Sequence, residues 1–233
     1  MRTGRGGSAD GRLVSRPGPV PGEPYPAGTH RVDLGPGTET ALAVAPGDPA
    51  LRPLLVFLHG AGGSAADSLA RVGRTARERG VHVLAPTSGG STWDLLVGGL
   101  GEDVAALDDA LAEVYRRLPV SRTAVGGFSD GGSYALSLGV ANGDLFDALL
   151  AFSPGFVAAL SRVGSPRAWV SHGTADRVLP VDRCGRPVVR HLTAAGHEVH
   201  YDEFGGGHEV RTRAVAAALD WWLGVPVSPV RSD

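Results

Sequence analysis

Hydrophobic residues along this chain gather in short continuous runs, separated by glycine-rich turns and longer amphipathic stretches. The runs fall at 54–58, 82–84, 123–126, 148–152, 168–171 and 199–202. Runs rich in Val and Leu, without alternation, suit strands buried on both faces. Between them, residues 65–79, 101–118, 131–141, 181–195 and 209–223 carry helical spacing. In the second stretch Val104, Leu107, Leu111, Val114 and Leu118 recur at steps of three and four, so they share one helix face. Alternating strands and helices predict a mostly parallel sheet with helices on both faces. Two shorter strands, 30–34 and 40–44, precede this pattern as a hairpin or a pair of edge strands, with Pro36-Gly37 as the turn. Residues 1–28 are rich in Gly, Pro, Ser and Arg and predict a flexible arm. The tail from Pro226 reads the same way, which leaves one domain over 29–225.

Composition narrows the function classes. The length of 233 residues suits one large α/β domain. A net charge of -2 with no basic stripe argues against a nucleic-acid partner. The single cysteine, Cys184, can build neither an intrachain disulfide nor a thiolate metal site, and it fits a reducing compartment. The basic N-terminal stretch is followed by no apolar segment of signal-peptide type. No run approaches the roughly 20 apolar residues of a membrane span. These features predict a soluble, cytoplasmic protein. The eight histidines show no His-Glu-x-x-His or clustered His/Cys spacing, so no metal and no cofactor is expected.

The sharpest local signal is G-x-S-x-G at Gly127-Phe128-Ser129-Asp130-Gly131, after an apolar strand and before a helix of small residues. A chain that reverses sharply from strand to helix puts the serine in a strained backbone conformation. Only small residues then fit two positions before and after it. The hydroxyl stands at a helix N-terminus, where free N–H groups favour developing negative charge. In a chain with 35 glycines a bare match can also be an ordinary turn, so the flanking strand and helix carry the weight. A second glycine-rich loop, His59-Gly60-Ala61-Gly62-Gly63, follows the strand at 54–58. Acyl transfer needs two N–H donors converging on an oxyanion. Asp130, after the nucleophile, supplies one, and Ala61 or its neighbour Gly62 the other. The loop lacks the glycine spacing of dinucleotide and phosphate loops.

A nucleophilic serine needs a base, and the base needs an orienting carboxylate. After Ser129, one strand runs into a turn carrying Asp176 and the next into a glycine loop carrying His208. Both sit beyond the C-terminal ends of strands, where open α/β sheets bind ligands. His59 and His172 also follow strands, and backbone hydrogen bonding explains them; His59 precedes the serine. His191, His197 and His200 lie near a helix end and the strand after it. Asp182 rivals Asp176, but its place after Pro180 suits a helix N-cap. Asp202 and Glu203 are further competitors, Asp147 reads as a solvated turn residue, and Cys184 as a thiol without a role.

In order and spacing, LHGAGG, GFSDGG, HGTAD and GGGHE resemble the compact α/β-hydrolases, and most closely the phospholipase/carboxylesterase group. Acyl-protein thioesterases, dienelactone hydrolases and polyhydroxybutyrate-depolymerase-like esterases share this pattern. The resemblance spans about residues 30–224 and includes the segment Ser91-Thr92-Trp93-Asp94-Leu95. It implies an α/β-hydrolase fold with a minimal cap or none, and a serine carboxylesterase acting on a small-molecule ester as monomer or homodimer. Ser129 would be the nucleophile, Asp176 the acid and His208 the base. Ala61 and Asp130 would form the oxyanion hole, with Gly62 and Trp93 lining the substrate pocket; Trp93 packing under a loop is the alternative. The same triad could cleave thioesters or amides, and a binding protein could keep the fold without catalysis. Thioesterases of this group commonly carry Gln where this chain has Asp130. That extra carboxylate is expected to disfavour anionic acyl groups. Asp130→Asn should therefore raise kcat/KM on an anionic ester more than on a neutral one, and equal effects in a paired assay would remove the idea.

Overall fold

The computed structural model describes residues 10–34, 39–47, 51–97, 99 and 101–225. Among them eight strands form one sheet: β1 (Gly28–Arg31), β2 (Thr40–Val44), β3 (Arg52–Leu58), β4 (His82–Pro86), β5 (Val120–Phe128), β6 (Phe146–Phe152), β7 (Arg167–Gly173) and β8 (Val199–Phe204). Their order is β1-β2-β4-β3-β5-β6-β7-β8. β1 pairs with β2, and β2 with β4, antiparallel; the remaining pairs are parallel. Each of the six apolar runs is a strand. Pro36-Gly37 and the tail from Pro226 lie outside the described residues.

Among the described residues five α-helices cover the sheet: α1 (Ala65–Glu78), α2 (Glu102–Arg117), α3 (Asp130–Ala141), α4 (Gly185–Ala194) and α5 (Thr212–Leu223). Successive strand side chains point to opposite faces, so β3 feeds two cores. Leu54, Val56 and Leu58 pack with α2, α3 and α4. Leu55 and Phe57 pack with Val72 and Ala76 of α1 and Ala218 and Trp222 of α5. The five apolar positions expected on one face of the second helix, Val104 to Leu118, are all buried in the first core. Ser64 caps α1, its hydroxyl accepting from the Asp67 N–H at 3.2 Å. Gly224, at φ 75°, ends α5 in the left-handed conformation that a residue without Cβ takes most easily.

Three expectations change. Within the arm expected to be flexible over 1–28, residues 10–27 are strapped along the α2–α3 side, and residues 1–9 lie outside the described residues. Leu13 is 1% exposed and its N–H donates to Asn142 Oδ1 at 2.8 Å. The Val14 and Ser15 amides donate to Asp108 Oδ1, Arg12 and Arg16 pair with Asp144, and the Arg117 guanidinium covers the Tyr25 ring. The segment's own composition supplies no order; the polar side chains of α2 and the α3 end supply it, and local pattern cannot show that. Next, α4 begins only at Gly185, and Asp182 caps nothing: its carboxylate pairs with Arg186. Finally, Asp147 lies within β6, accepting from Arg122 Nε at 2.6 Å and Trp222 Nε1 at 2.7 Å.

Leu13→Ala should lower unfolding stability by about 2–5 kcal/mol, the usual cost of emptying a buried leucine site. Urea denaturation measures this. A change within about 0.5 kcal/mol, as expected of a surface arm, would contradict the packing.

Candidate active site

Because β3, β5, β6, β7 and β8 run parallel, the loops that follow them emerge at one edge. Ser129 follows β5 directly and opens α3. Its φ of 56° and ψ of -120° put a non-glycine residue in the left-handed half of the map. Such a conformation costs on the order of 1–3 kcal/mol and persists only where the surroundings enforce it. Here the enforcement is steric. A Cβ on Gly127 would run into the carbonyl oxygens of Gly131 and Leu58, and one on Gly131 into those of Leu58 and His59. The elbow is thus pressed against the end of β3, and the Ser129 N–H donates to Phe152 O at 2.9 Å.

The three residues predicted to act together are brought together. His208 Nε2 lies 2.8 Å from Ser129 Oγ, and His208 Nδ1 lies 2.7 Å from Asp176 Oδ2. With the Nδ1 proton held by the carboxylate, Nε2 is left to accept from the serine hydroxyl. Phe128 packs its ring against the imidazole at a centroid distance of 4.7 Å, and Arg71 covers Phe128. Asp176 is buried, and its other oxygen accepts from the amides of Val178 at 2.9 Å and Leu179 at 2.8 Å. Burial alone would push this carboxyl up. The His208 hydrogen bond, the Leu179 amide, the charge of His208 when protonated and the Val178 amide outweigh it, and the net shift is downward.

The rival residues are engaged elsewhere. His59 bonds Gly60 O through Nδ1 and accepts the Ser88 N–H on Nε2 at 3.0 Å. His172 Nε2 lies 2.7 Å from Leu179 O and 3.4 Å from Asp176 Oδ2, so it backs the carboxylate from behind. His197 bonds Pro166 O, His200 stacks on Trp169, and His191 meets Arg162. Asp202 accepts from the Ser171 hydroxyl and Glu203 pairs with Arg186.

On the oxyanion side, Ala61 and Gly62 form the exposed turn after β3. The Gly62 N–H is occupied, donating to Ser91 O at 2.7 Å, which leaves Ala61 as the amide of that pair open to a ligand. The Asp130 N–H belongs to the first turn of α3, where amides have no intrahelical acceptor. The Asp130 carboxylate is held by the Thr92 hydroxyl at 2.8 Å. Trp93 does not wall the pocket and takes the alternative place, packed under the loop. It is 1% exposed, stacked on Tyr134 and tilted against His59, with Nε1 donating to His59 O at 2.9 Å. No face of its indole is left for a substrate. Sequence reasoning also missed Asp94 and Asp103, whose carboxylates bind backbone amides of their own loop; an acid in a helix's first turn reads as solvated. Among the described residues no group of His, Cys, Asp and Glu could hold a metal ion, and no helix is long and apolar enough to cross a membrane.

No family model matches the chain and no curated protein matches it by sequence. Solved structures do. The serine hydrolase FphF of Staphylococcus aureus, described as fluorophosphonate-binding, superposes with a TM-score of 0.68 at 15% identity, over 84% of this chain and 98% of that one. Esterase PE8 gives 0.62 at 23% identity over 76% and 94%. Acyl-protein thioesterase 2 of Zea mays gives 0.58 at 17% identity over 80% and 98%. At such identities the likeness is one of architecture, and it agrees with the sheet order and the strand-to-helix elbow: this chain has the α/β-hydrolase fold.

The lowered Asp176 pKa has a consequence for acid stability. Its contribution is whole above about pH 4, where the unfolded chain's carboxylate is also ionised. It drains away as the pH falls from there through the folded value. Asp176→Asn should thus be destabilising at pH 7 and progressively less so below pH 4, by denaturation at several pH values. A gap that stays constant to pH 2 would contradict the depressed value.

Proposed function

We propose that the protein is a serine carboxylesterase that hydrolyses small or medium carboxylic esters through an acyl-enzyme on Ser129. The observation that carries this reading is the unbroken pair of hydrogen bonds from Ser129 Oγ through His208 to Asp176, 2.8 and 2.7 Å long. A hydroxyl so placed can lose its proton as it attacks, and no other serine of the described residues has that arrangement.

In the first half-reaction Ser129 Oγ adds to the ester carbonyl while His208 Nε2 takes its proton. The carbonyl oxygen becomes an oxyanion received by the Ala61 and Asp130 amides. Asp176 holds the imidazole in the needed tautomer and stabilises the imidazolium. His208 then protonates the leaving alkoxide as the C–O bond breaks. In the second half-reaction His208 removes a proton from water as the hydroxide adds to the acyl carbon; the C–Oγ bond then breaks, His208 returns that proton to Ser129 Oγ, and the acid leaves. Thioester and amide cleavage would use the same steps and differ in the leaving group.

Ser129→Ala and His208→Ala should each lower kcat by roughly a thousandfold or more. A fluorophosphonate probe should label the wild-type protein and spare Ser129→Ala. Undiminished hydrolysis of p-nitrophenyl esters by Ser129→Ala would defeat the reading. A panel of p-nitrophenyl esters, acyl-CoA thioesters and aminoacyl amides tests the ester assignment, with the highest kcat/KM expected on the esters.

A further inference from the structure

Residues 88–94, just after β4, hydrogen-bond to both elements that carry the amides assigned to the oxyanion hole. Three hydrogen bonds join this segment to the loop after β3. The Ser88 N–H donates to His59 Nε2 at 3.0 Å, the Gly62 N–H donates to Ser91 O at 2.7 Å, and Trp93 Nε1 donates to His59 O at 2.9 Å. Two more join it to α3. The Thr92 hydroxyl donates to Asp130 Oδ2 at 2.8 Å, and the Tyr134 hydroxyl donates to Asp94 Oδ1 at 3.0 Å. Trp93 also stacks on Tyr134 of α3, with centroids 5.1 Å apart.

The segment is itself rigidly held. Asp103, at the start of α2, accepts the Gly89 and Asp94 amides on its two oxygens, each at 2.8 Å. Asp94 Oδ2 accepts the amides of Gly101 and Asp103 at 2.8 and 3.0 Å. Two carboxylates therefore clamp one short loop, each accepting two backbone N–H groups. Charge-assisted bonds of this kind are stronger than neutral ones.

Oxyanion stabilisation depends on donors aimed within a few tenths of an ångström of where charge develops. Here the donors come from two separate elements, the turn after β3 and the first turn of α3. We propose that Thr92 and Trp93 are positioning residues that splint these elements, keeping the Ala61 and Asp130 amides aimed at one point. Trp93 acts through the His59 carbonyl, two residues before Ala61, and Thr92 through the carboxylate of Asp130 itself. The proposal rests on the serine-esterase reading of the same site.

Two variants separate the roles. Thr92→Val keeps the shape and removes the hydroxyl. Trp93→Phe keeps an aromatic ring between His59 and Tyr134 and removes the N–H donor. Each protein is titrated to completion with a fluorophosphonate, so that kcat is expressed per reactive serine. Affinity is then measured for a trifluoromethyl ketone, which forms a tetrahedral oxyanion on a serine. Expected is a kcat about tenfold or more below wild type for each variant, with the ester KM within about twofold and a parallel loss of ketone affinity. Thr92→Ser should retain wild-type values. Unchanged kcat per titrated serine overturns the proposal, whether or not the titre falls, because a purely structural role lowers only the number of working sites. A rise confined to KM overturns it as well. Failure of the underlying reading looks different: wild-type protein without esterase activity, or with activity that survives Ser129→Ala.

Discussion

The close approach of the β5–α3 elbow to the end of β3 is the constraint on which the site depends. Gly127 and Gly131 let two backbone segments touch where any side chain would meet a carbonyl oxygen. That contact holds Ser129 at a positive φ and brings the turn after β3 beside the first turn of α3. The strain at Ser129 persists because the buried sheet and helix on either side leave the chain no other path. The proposed nucleophile and the proposed oxyanion donors are thereby placed by the same packing that builds the core.

The remaining parts of the site are hung on this frame with different rigidity. Asp176 is buried and accepts two backbone amides on the oxygen that does not face His208, which sets the direction of its carboxylate toward the imidazole. His208 sits on a glycine-rich loop and is positioned by what it touches: a carboxylate on one nitrogen, a hydroxyl on the other, and the Phe128 ring. The loop after β4 is held by carboxylate-to-amide bonds in addition to the apolar burial of Trp93. Such bonds suit an irregular segment at a solvent-facing edge, where backbone donors would otherwise need water.

Much of this was legible in the chain. Continuous apolar runs became buried strands, and the step-of-three-and-four pattern became the inner face of α2, because both patterns report directly on burial. The meeting of Ser129, His208 and Asp176 could be anticipated because each follows a strand in a parallel sheet, and parallel strands deliver the loops that follow them to one edge. Trp93, Asp94, Asp103 and Asp182 were not readable in the same way. A tryptophan near a site looks alike in the sequence whether it walls a pocket or fills the space beneath it, and a carboxylate near a helix start looks alike whether it caps, pairs or clamps a distant loop. The strap at 10–27 was opaque for a related reason: its order comes from Asn142, Asp108 and Asp144, more than ninety residues away.

By itself, the sequence determined the alternation of strand and helix, the elbow at Ser129 and the placing of Asp176 and His208 beyond strand ends, since local pattern and chain order are sufficient for these. Only the tertiary structure decided which glycine amide is already bonded, which aromatic is inaccessible and which carboxylates hold the loop after β4. Those are questions of which donor meets which acceptor across long separations, and hydrogen-bond partnership is a property of three-dimensional proximity that no local run of residues encodes.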